Sequence, residues 1–275
     1  MISRLLKLTI AVLFFVGHKI VFSLYRLTGK CMPPELIIIT YHSVKTSDAK
    51  SFEKQMNTLV KIGHPVSLSD KRTIMKSGYN IAVTFDDAYQ SVLQNALPVL
   101  QAKNIPATIF VPTGYLGRKP QWIKNQNHRY ASETVVTQEQ LRGLPDNLIT
   151  IGSHTVSHIN LTNVDKSIAR KEIFESKETL ERILKNKVTL FAAPYATLNE
   201  DFTDLFKQAG YERVFLNIPT FPATKTDSYI LGRNSVEPTD WPVEFNLKLM
   251  GAYQWLPLAI YLKNKLPGKD RFPTH

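Results

Sequence analysis

Cysteine is nearly absent from this 275-residue chain, where Cys31 stands alone. No intrachain disulfide can form, and the count by itself leaves the redox compartment open. A lone thiol near a membrane segment could be acylated, or could stay an ordinary free thiol. The chain also lacks a Gly/Ser linker, a Pro-rich stretch and a repeat of fixed period. That argues against tethered domains and solenoids. With 43% hydrophobic residues there is enough apolar side chain for one large core, the usual state of an α/β barrel of this length. Acidic residues are few, 23 against 34 Lys plus Arg, a net charge of +11. Such a balance suits a polyanionic partner. No nucleic-acid motif is present and the basic residues are scattered. The expectation is therefore no nucleic acid, and a membrane surface as the anionic partner.

A long unbroken apolar run is missing too. Residues 5–27 are largely apolar and free of proline, yet the run between Lys7 and His18 is short beside the ~20 residues a spanning helix needs. A basic start and a short apolar centre resemble a secretory signal, but no small-x-small cleavage site follows cleanly. At about 100° per residue, Arg4, Lys7, His18, Lys19 and Arg26 fall on one arc. That predicts a helix lying in the membrane interface with its basic face toward the head groups. An uncleaved signal anchor and a cleaved signal are the alternatives. Basic residues flank both ends, so charge gives no orientation. Residues 241–266 mix Trp, Tyr and Leu with Lys248, Lys263 and Lys265. They suit an interfacial tail or a last helix closing a barrel.

Between these ends, short apolar runs alternate with helical patterns. Strands are expected at 36–41, 81–85, 107–111, 148–152, 188–192 and 213–216. Helices are expected at 52–62, 89–103 (kinked by Pro98), 165–185 and 200–209. Ala169, Ile173, Leu180 and Leu184 mark the buried face of the third helix. Repeated strand–helix units imply a parallel sheet, open or closed. In a closed barrel the chemistry gathers where strands end and loops begin. His42, the Asp86–Asp87 pair, His154, and Pro194–Tyr195 each follow a predicted strand.

Asp86 and Asp87 place two carboxylates side by side. One could hold a metal while the other acts as a base, or the pair could cap the next helix. His154 and His158, four apart, would share one helical face and could grip one ion. Asp87, His154 and His158 make three ligands, the open arrangement of a catalytic zinc site. Such an ion polarises a carbonyl and lowers the pKa of a bound water. Asp86 could then accept the water's proton, and His42 could supply one to a leaving amine or be an ordinary core histidine. Trp122, in the polar stretch 119–130, could stack on a sugar ring or pack its loop onto the barrel.

Over residues 36–238 the chain resembles the polysaccharide deacetylases, the NodB-homology or carbohydrate esterase family 4 enzymes. The resemblance rests on Thr40-Tyr41-His42-Ser43-Val44, Thr84-Phe85-Asp86-Asp87, the run from Asn104 to Val111, Ser153-His154-Thr155-Val156-Ser157-His158 and Ala193-Pro194-Tyr195. It looks most like the branch with an early Tyr-His, which includes the poly-N-acetylglucosamine deacetylases. The resemblance implies an α/β fold, a distorted (β/α)7 barrel, and a divalent metal, usually zinc. It implies Asp86 as base, Asp87, His154 and His158 as ligands, His42 as acid, and an oxyanion-binding backbone N–H at Tyr195 beside Pro194.

The chain departs from the family pattern in places. Ala88 follows the Asp pair where many members have Gly. Ala192 and Ala196 stand where many have the arginine that orients the catalytic aspartate and a glycine. Arg233, in Leu231-Gly232-Arg233, is the candidate replacement for that arginine. No late Leu-x-His motif occurs, which places more weight on His42.

The resulting expectation is a membrane-associated helix over 1–30, a catalytic domain over 34–240 and an amphipathic tail over 241–275. The chain would remove N-acetyl groups from an envelope saccharide, polymeric or lipid-linked, at the bacterial inner membrane. The rivals are a deformylase or deacetylase of a lipid-linked sugar, and a saccharide binder on a degenerate barrel.

Overall fold

Residues Glu35–Tyr41, with three consecutive isoleucines, form β1, which is buried along its whole length. A strand covered on both faces needs apolar side chains on both, and β1 has them. The structure, a computed structural model, describes residues 4–27, 35–75, 78–196, 202–219 and 228–265. Cys31, the expected helix start near Glu200 and the last ten residues lie outside that set.

The other strands are β2 (His64–Pro65), β3 (Tyr79–Phe85), β4 (Ala107–Val111), β5 (Ile149–Ser153), β6 (Leu190–Ala192), β7 (Arg213–Leu216), β8 (Ile230–Gly232) and β9 (Asn234–Ser235). All pair in parallel, in the order β8-β7-β6-β5-β4-β3-β1-β9, with β2 added beside β3. Only Arg233 separates β8 from β9, and β9 pairs with β1. The wall therefore returns on itself as a nearly closed barrel, as expected. Its helices are α2 (Ala49–Ile62), α3 (Leu97–Ala102), α4 (Gln138–Arg142), α5 (Lys166–Leu184), α6 (Thr203–Gln208) and α7 (Pro242–Leu249). A 24-residue α1 (Arg4–Leu27) and α8 (Leu256–Lys265) complete the described elements.

The period-2 alternation of strands divides the core. Leu36, Ile38, Ala82, Phe110, Leu190, Ala192, Phe215 and Leu231 fill the barrel. Ile37, Ile39, Ile81, Val83, Ile109 and Val214 pack outward under the helices. Gly152 shows how tight the interior is: a Cβ there would lie 2.4 Å from the Phe110 ring.

Four expectations are corrected. The stretch 89–103 is a π-helical turn, Val92–Ala96, running into α3. Pro98 lies just after the wide turn, which makes room for its ring and missing N–H without a kink. On α5, Ile183 is buried while Leu184 is only half-buried; with Ala169, Ile173, Ser176 and Leu180 it keeps the 4-3-4-3 spacing of one face. Residues 242–249 are no free tail, because Phe245, Leu247 and Leu249 of α7 are buried.

The fourth correction concerns α1. Its Arg4 and Lys19 point toward the body, not away from it. Arg4 pairs with Glu244 at 2.7 Å and stacks over Trp241, while Lys19 lies over Tyr79. Ala11 is fully buried among Leu247, Ala252 and Tyr253, with Leu8 and Phe15 alongside. Glu244 of α7, buried and already paired with Lys248 at 3.2 Å, takes Arg4 as a second cation, and Asp240 just before α7 lies 3.8 Å from the same guanidinium. No described helix is long and apolar enough to cross a membrane.

Candidate active site at the barrel mouth

Asp86 continues the inward row of β3 after Asn80, Ala82 and Thr84. It is 2% exposed. Arg233, fully buried between β8 and β9, meets it inside the barrel, with only β1 standing between β9 and β3 in the wall. Its Nη1 donates to Oδ1 of Asp86 at 2.6 Å and its Nη2 to Oδ2 at 2.7 Å. Nη1 also donates to the hydroxyls of Thr40 and Thr84 at 3.2 and 3.3 Å. This is a bidentate, charge-assisted pair of the strong kind. Burial alone would raise the Asp86 carboxyl; the charge and hydrogen bonds of Arg233 hold it below the usual carboxylate value. Asp86 stays ionised and fixed in direction.

Asp87 leaves the strand differently. Its φ is +66°, followed by +50° at Ala88. Non-glycine residues pay for such a conformation, and here it turns the second carboxylate out of the strand row and toward the rim. There Asp87 Oδ1 lies 3.1 Å from His158 Nε2 and 3.7 Å from His154 Nε2. The three ligand atoms all fall within 4.8 Å of one another.

The two histidines do not share a helical face, contrary to expectation. His154 follows β5 directly, and the segment after it is an irregular turn with φ of +67° at Thr155 and +55° at His158. Glu172 of α5 holds that turn. Its carboxylate accepts the backbone N–H groups of Val156 and Ser157, both at 2.8 Å, and the Ser157 hydroxyl at 2.6 Å.

The donor set fits a divalent cation. His154 Nδ1 lies 2.8 Å from the carbonyl of Ala192. Since a carbonyl only accepts, this nitrogen carries the proton and Nε2 presents a lone pair toward Asp87. Burial pushes His154 down to about 4, so the ring is neutral near pH 7. Two acceptors facing each other at 3.7 Å need a cation between them, and one carboxylate with two imidazoles suits zinc.

The long segment between β4 and α4 crosses the mouth and brings two aromatic rings to two histidines. Trp122 stacks on His158, centroids 4.4 Å apart and planes 14° apart, and meets Tyr115 edge-on. Its indole thus covers the ring of His158, where a free sugar-stacking platform was one expectation. Tyr130 stacks on His42 at 5.6 Å, and its hydroxyl donates to Glu237 at 2.7 Å. His42 is half-buried at the end of β1. Beneath it, Glu133 accepts the hydroxyls of Ser43 and Ser91 at 2.5 and 3.1 Å, tying the same segment to the barrel. Pro194 is buried, whereas Tyr195, with φ of +59°, is 38% exposed and meets His158 edge-on at 5.1 Å. A groove of about 530 Å³ opens beside His158, lined by Tyr115, Trp122, Lys124, Asn160 and Tyr195 among others. It gives the site an approach from solvent.

All nine residues singled out in the sequence therefore lie at or near one mouth. Glu172, Tyr130 and Glu133 were not among them. No short-range pattern marks these three, since each acts on a residue 15 to 90 positions away.

A parallel barrel with an Asp-His-His cluster and a second, guanidinium-bound aspartate at its C-terminal mouth defines a metal-site hydrolase architecture. The model of the polysaccharide deacetylase family matches residues 75–214, and the chain belongs to that family of enzymes. YxkH of Bacillus subtilis (strain 168), a protein named for the polysaccharide deacetylases, is 26% identical over 217 residues. That match spans 75% of this chain and 73% of YxkH. The poly-beta-1,6-N-acetyl-D-glucosamine N-deacetylase of Staphylococcus aureus (strain MRSA252) is 25% identical over 145 residues, half of this chain and 47% of that enzyme. The structure of IcaB from Ammonifex degensii superposes with a TM-score of 0.65 at 22% identity, covering 80% of this chain and 98% of that one. At that identity the likeness establishes the barrel fold.

Proposed function

We propose that this chain hydrolyses N-acetyl groups of an envelope or exopolysaccharide N-acetyl sugar, polymeric or lipid-linked, releasing acetate and leaving a free amine. One arrangement carries the reading: Asp87, His154 and His158 converge while Asp86, locked by Arg233, sits next to them. The substrate class is drawn from the Staphylococcus aureus relative, which is named as a deacetylase of poly-β-1,6-N-acetylglucosamine.

Held by Asp87, His154 and His158, a zinc ion would supply Lewis acidity and an activated water. Asp86 accepts the proton of the attacking water; its ionised state, secured by Arg233, keeps it able to do so. The backbone N–H of Tyr195 donates to the oxygen on which negative charge develops. His42, held flat against Tyr130, delivers a proton to the departing nitrogen. Pro194, buried, fixes the turn that presents Tyr195. Reading the chain as a degenerate saccharide binder leaned on the absent arginine; the guanidinium of Arg233 at Asp86 weighs against it.

We assign this work to the inner-membrane surface of a bacterium; the net charge of +11 and the exposed apolar side chains of α1 support that reading. The deciding experiment incubates the zinc-loaded protein and its Asp86→Asn variant with acetylated β-1,6-linked glucosamine oligomers. Acetate release by the parent alone, with equal zinc in both, supports the proposal. Equal release by the variant would falsify the role of Asp86, and no release by either would remove the substrate class.

A further inference from the structure

Helix α1 turns its two sides to different surroundings. Leu8, Ala11 and Phe15 face the barrel. The opposite side carries nine of the seventeen exposed large apolar residues found among the described residues. Leu13, Val21 and Leu27 are 68%, 65% and 84% exposed. On a helix in water the apolar stripe faces the protein core and the other side is polar; α1 is apolar on the side away from the core as well. Leu258 and Leu262 of α8 add to the surface, at 61% and 53%; α8 begins at Leu256, which packs into the same cluster as Ala11. A patch of this kind marks a contact with another phase or partner.

Three features point to lipid. The polar side chains within the outward face satisfy themselves: Thr9 donates to the Leu5 carbonyl at 3.0 Å and Ser23 to the Lys19 carbonyl at 2.9 Å. Such hydroxyls carry no unpaired donor into a hydrocarbon layer. Lys7, which is exposed, falls just outside one edge of that face at about 100° per residue. From there its stem can lie along acyl chains while the ammonium group reaches the head groups. The chain as a whole carries +11, which draws it to anionic lipid.

We infer that the outward face of α1, extended by Leu258 and Leu262, seats the enzyme on an anionic bilayer, with α1 lying in the interface. It rests on the membrane setting of the proposed function and not on its chemistry. An orientation follows. Arg4 lies by Thr239 and Asp240, past the C-terminal end of β9, and Lys19 lies over Tyr79 at the start of β3. α1 thus runs down the flank of the barrel, antiparallel to its strands. With α1 flat in the interface, the barrel axis lies along the membrane and the mouth opens sideways over it.

The test uses the full-length protein and two vesicle preparations. One is phosphatidylcholine alone; the other is phosphatidylcholine and phosphatidylglycerol in equal parts. Co-sedimentation is measured for the parent and for a Leu13→Asp/Ile20→Asp variant, with thermal unfolding as a check of folding. The parent should partition onto the mixed vesicles and less onto the neutral ones. The variant should bind at least about tenfold more weakly, with unchanged acetate release from a soluble acetylated oligomer. Equal binding by the variant, or no binding by the parent, overturns the inference. So does a lipid-free dimer of the parent that the variant dissolves, since a second copy would then cover the face. Failure of acetate release by parent and variant alike would strike the proposed chemistry and leave the vesicle result standing.

Discussion

Arg233 grips both carboxylate oxygens of Asp86 from two strands away in the barrel wall, 147 positions along the chain. The pair is fully enclosed, with side-chain exposures of 0% and 3%. A buried ion pair contributes little net stability against an apolar replacement, but removing one partner strands the other.

Arg233→Ala is accordingly expected to lower stability by about 3–5 kcal/mol, measured by chemical denaturation. Asp86→Asn combined with Arg233→Met should cost much less, because no charge is left alone. Both variants should be inactive. If Arg233→Ala unfolds at the parental denaturant midpoint, the pair is not an energetic unit.

Glu172 makes three hydrogen bonds to the turn that carries His158. Glu172→Ala should weaken zinc affinity by about 10–100-fold, the range seen when groups that orient metal ligands are removed. Competition with a chromogenic chelator reads this directly. Glu172→Gln keeps an acceptor oxygen and should recover part of the loss. Unchanged affinity in the alanine variant would remove Glu172 from the site.

Trp122 lies flat on His158, so ion binding should alter its fluorescence. Titration with zinc is expected to change emission in the parent and leave Trp122→Phe nearly silent, although Trp241 and Trp255 remain. Stripping the ion with a chelator should reverse the signal and abolish acetate release. It should also lower thermal stability, by about 2.7 kcal/mol when zinc had been present at 100 times its dissociation constant.

Glu35, at the foot of β1, is pushed up by burial, a shift that His18 and Lys19 of α1 partly oppose. Because its folded-state pKa exceeds the unfolded value near 4.5, its contribution to stability is greatest below pH 4.5. That contribution is lost as pH rises through the raised folded value. Glu35→Gln removes the term. The stability of the variant relative to the parent should therefore increase between pH 4 and pH 7 in guanidinium unfolding. A constant difference across that range would show that Glu35 titrates as in the unfolded chain.

Much of the site was legible because β-strands alternate and parallel barrels collect their strand ends at one rim. Apolar runs located β1, β3, β4 and β5, and the polar residues after them had to meet. Glutamate 172, Tyr130 and Glu133 were hidden, as were the short strands β8 and β9. Three-residue and two-residue strands have too little sequence to show a period.

The residue order by itself determined the alternation of parallel strands and helices and the motifs that mark the family, since local periodicity and short motifs are properties of neighbouring residues; closure into a barrel followed from the resemblance and not from the period. Tertiary structure alone decided three things. It sent the side chains of Asp86 and Asp87 in different directions through a left-handed turn at the strand end, and it brought Arg233 onto Asp86. It also chose which side of α1 faces the protein, because Glu244 holds Arg4 and the Tyr79 ring holds Lys19, and only folding brings them within reach.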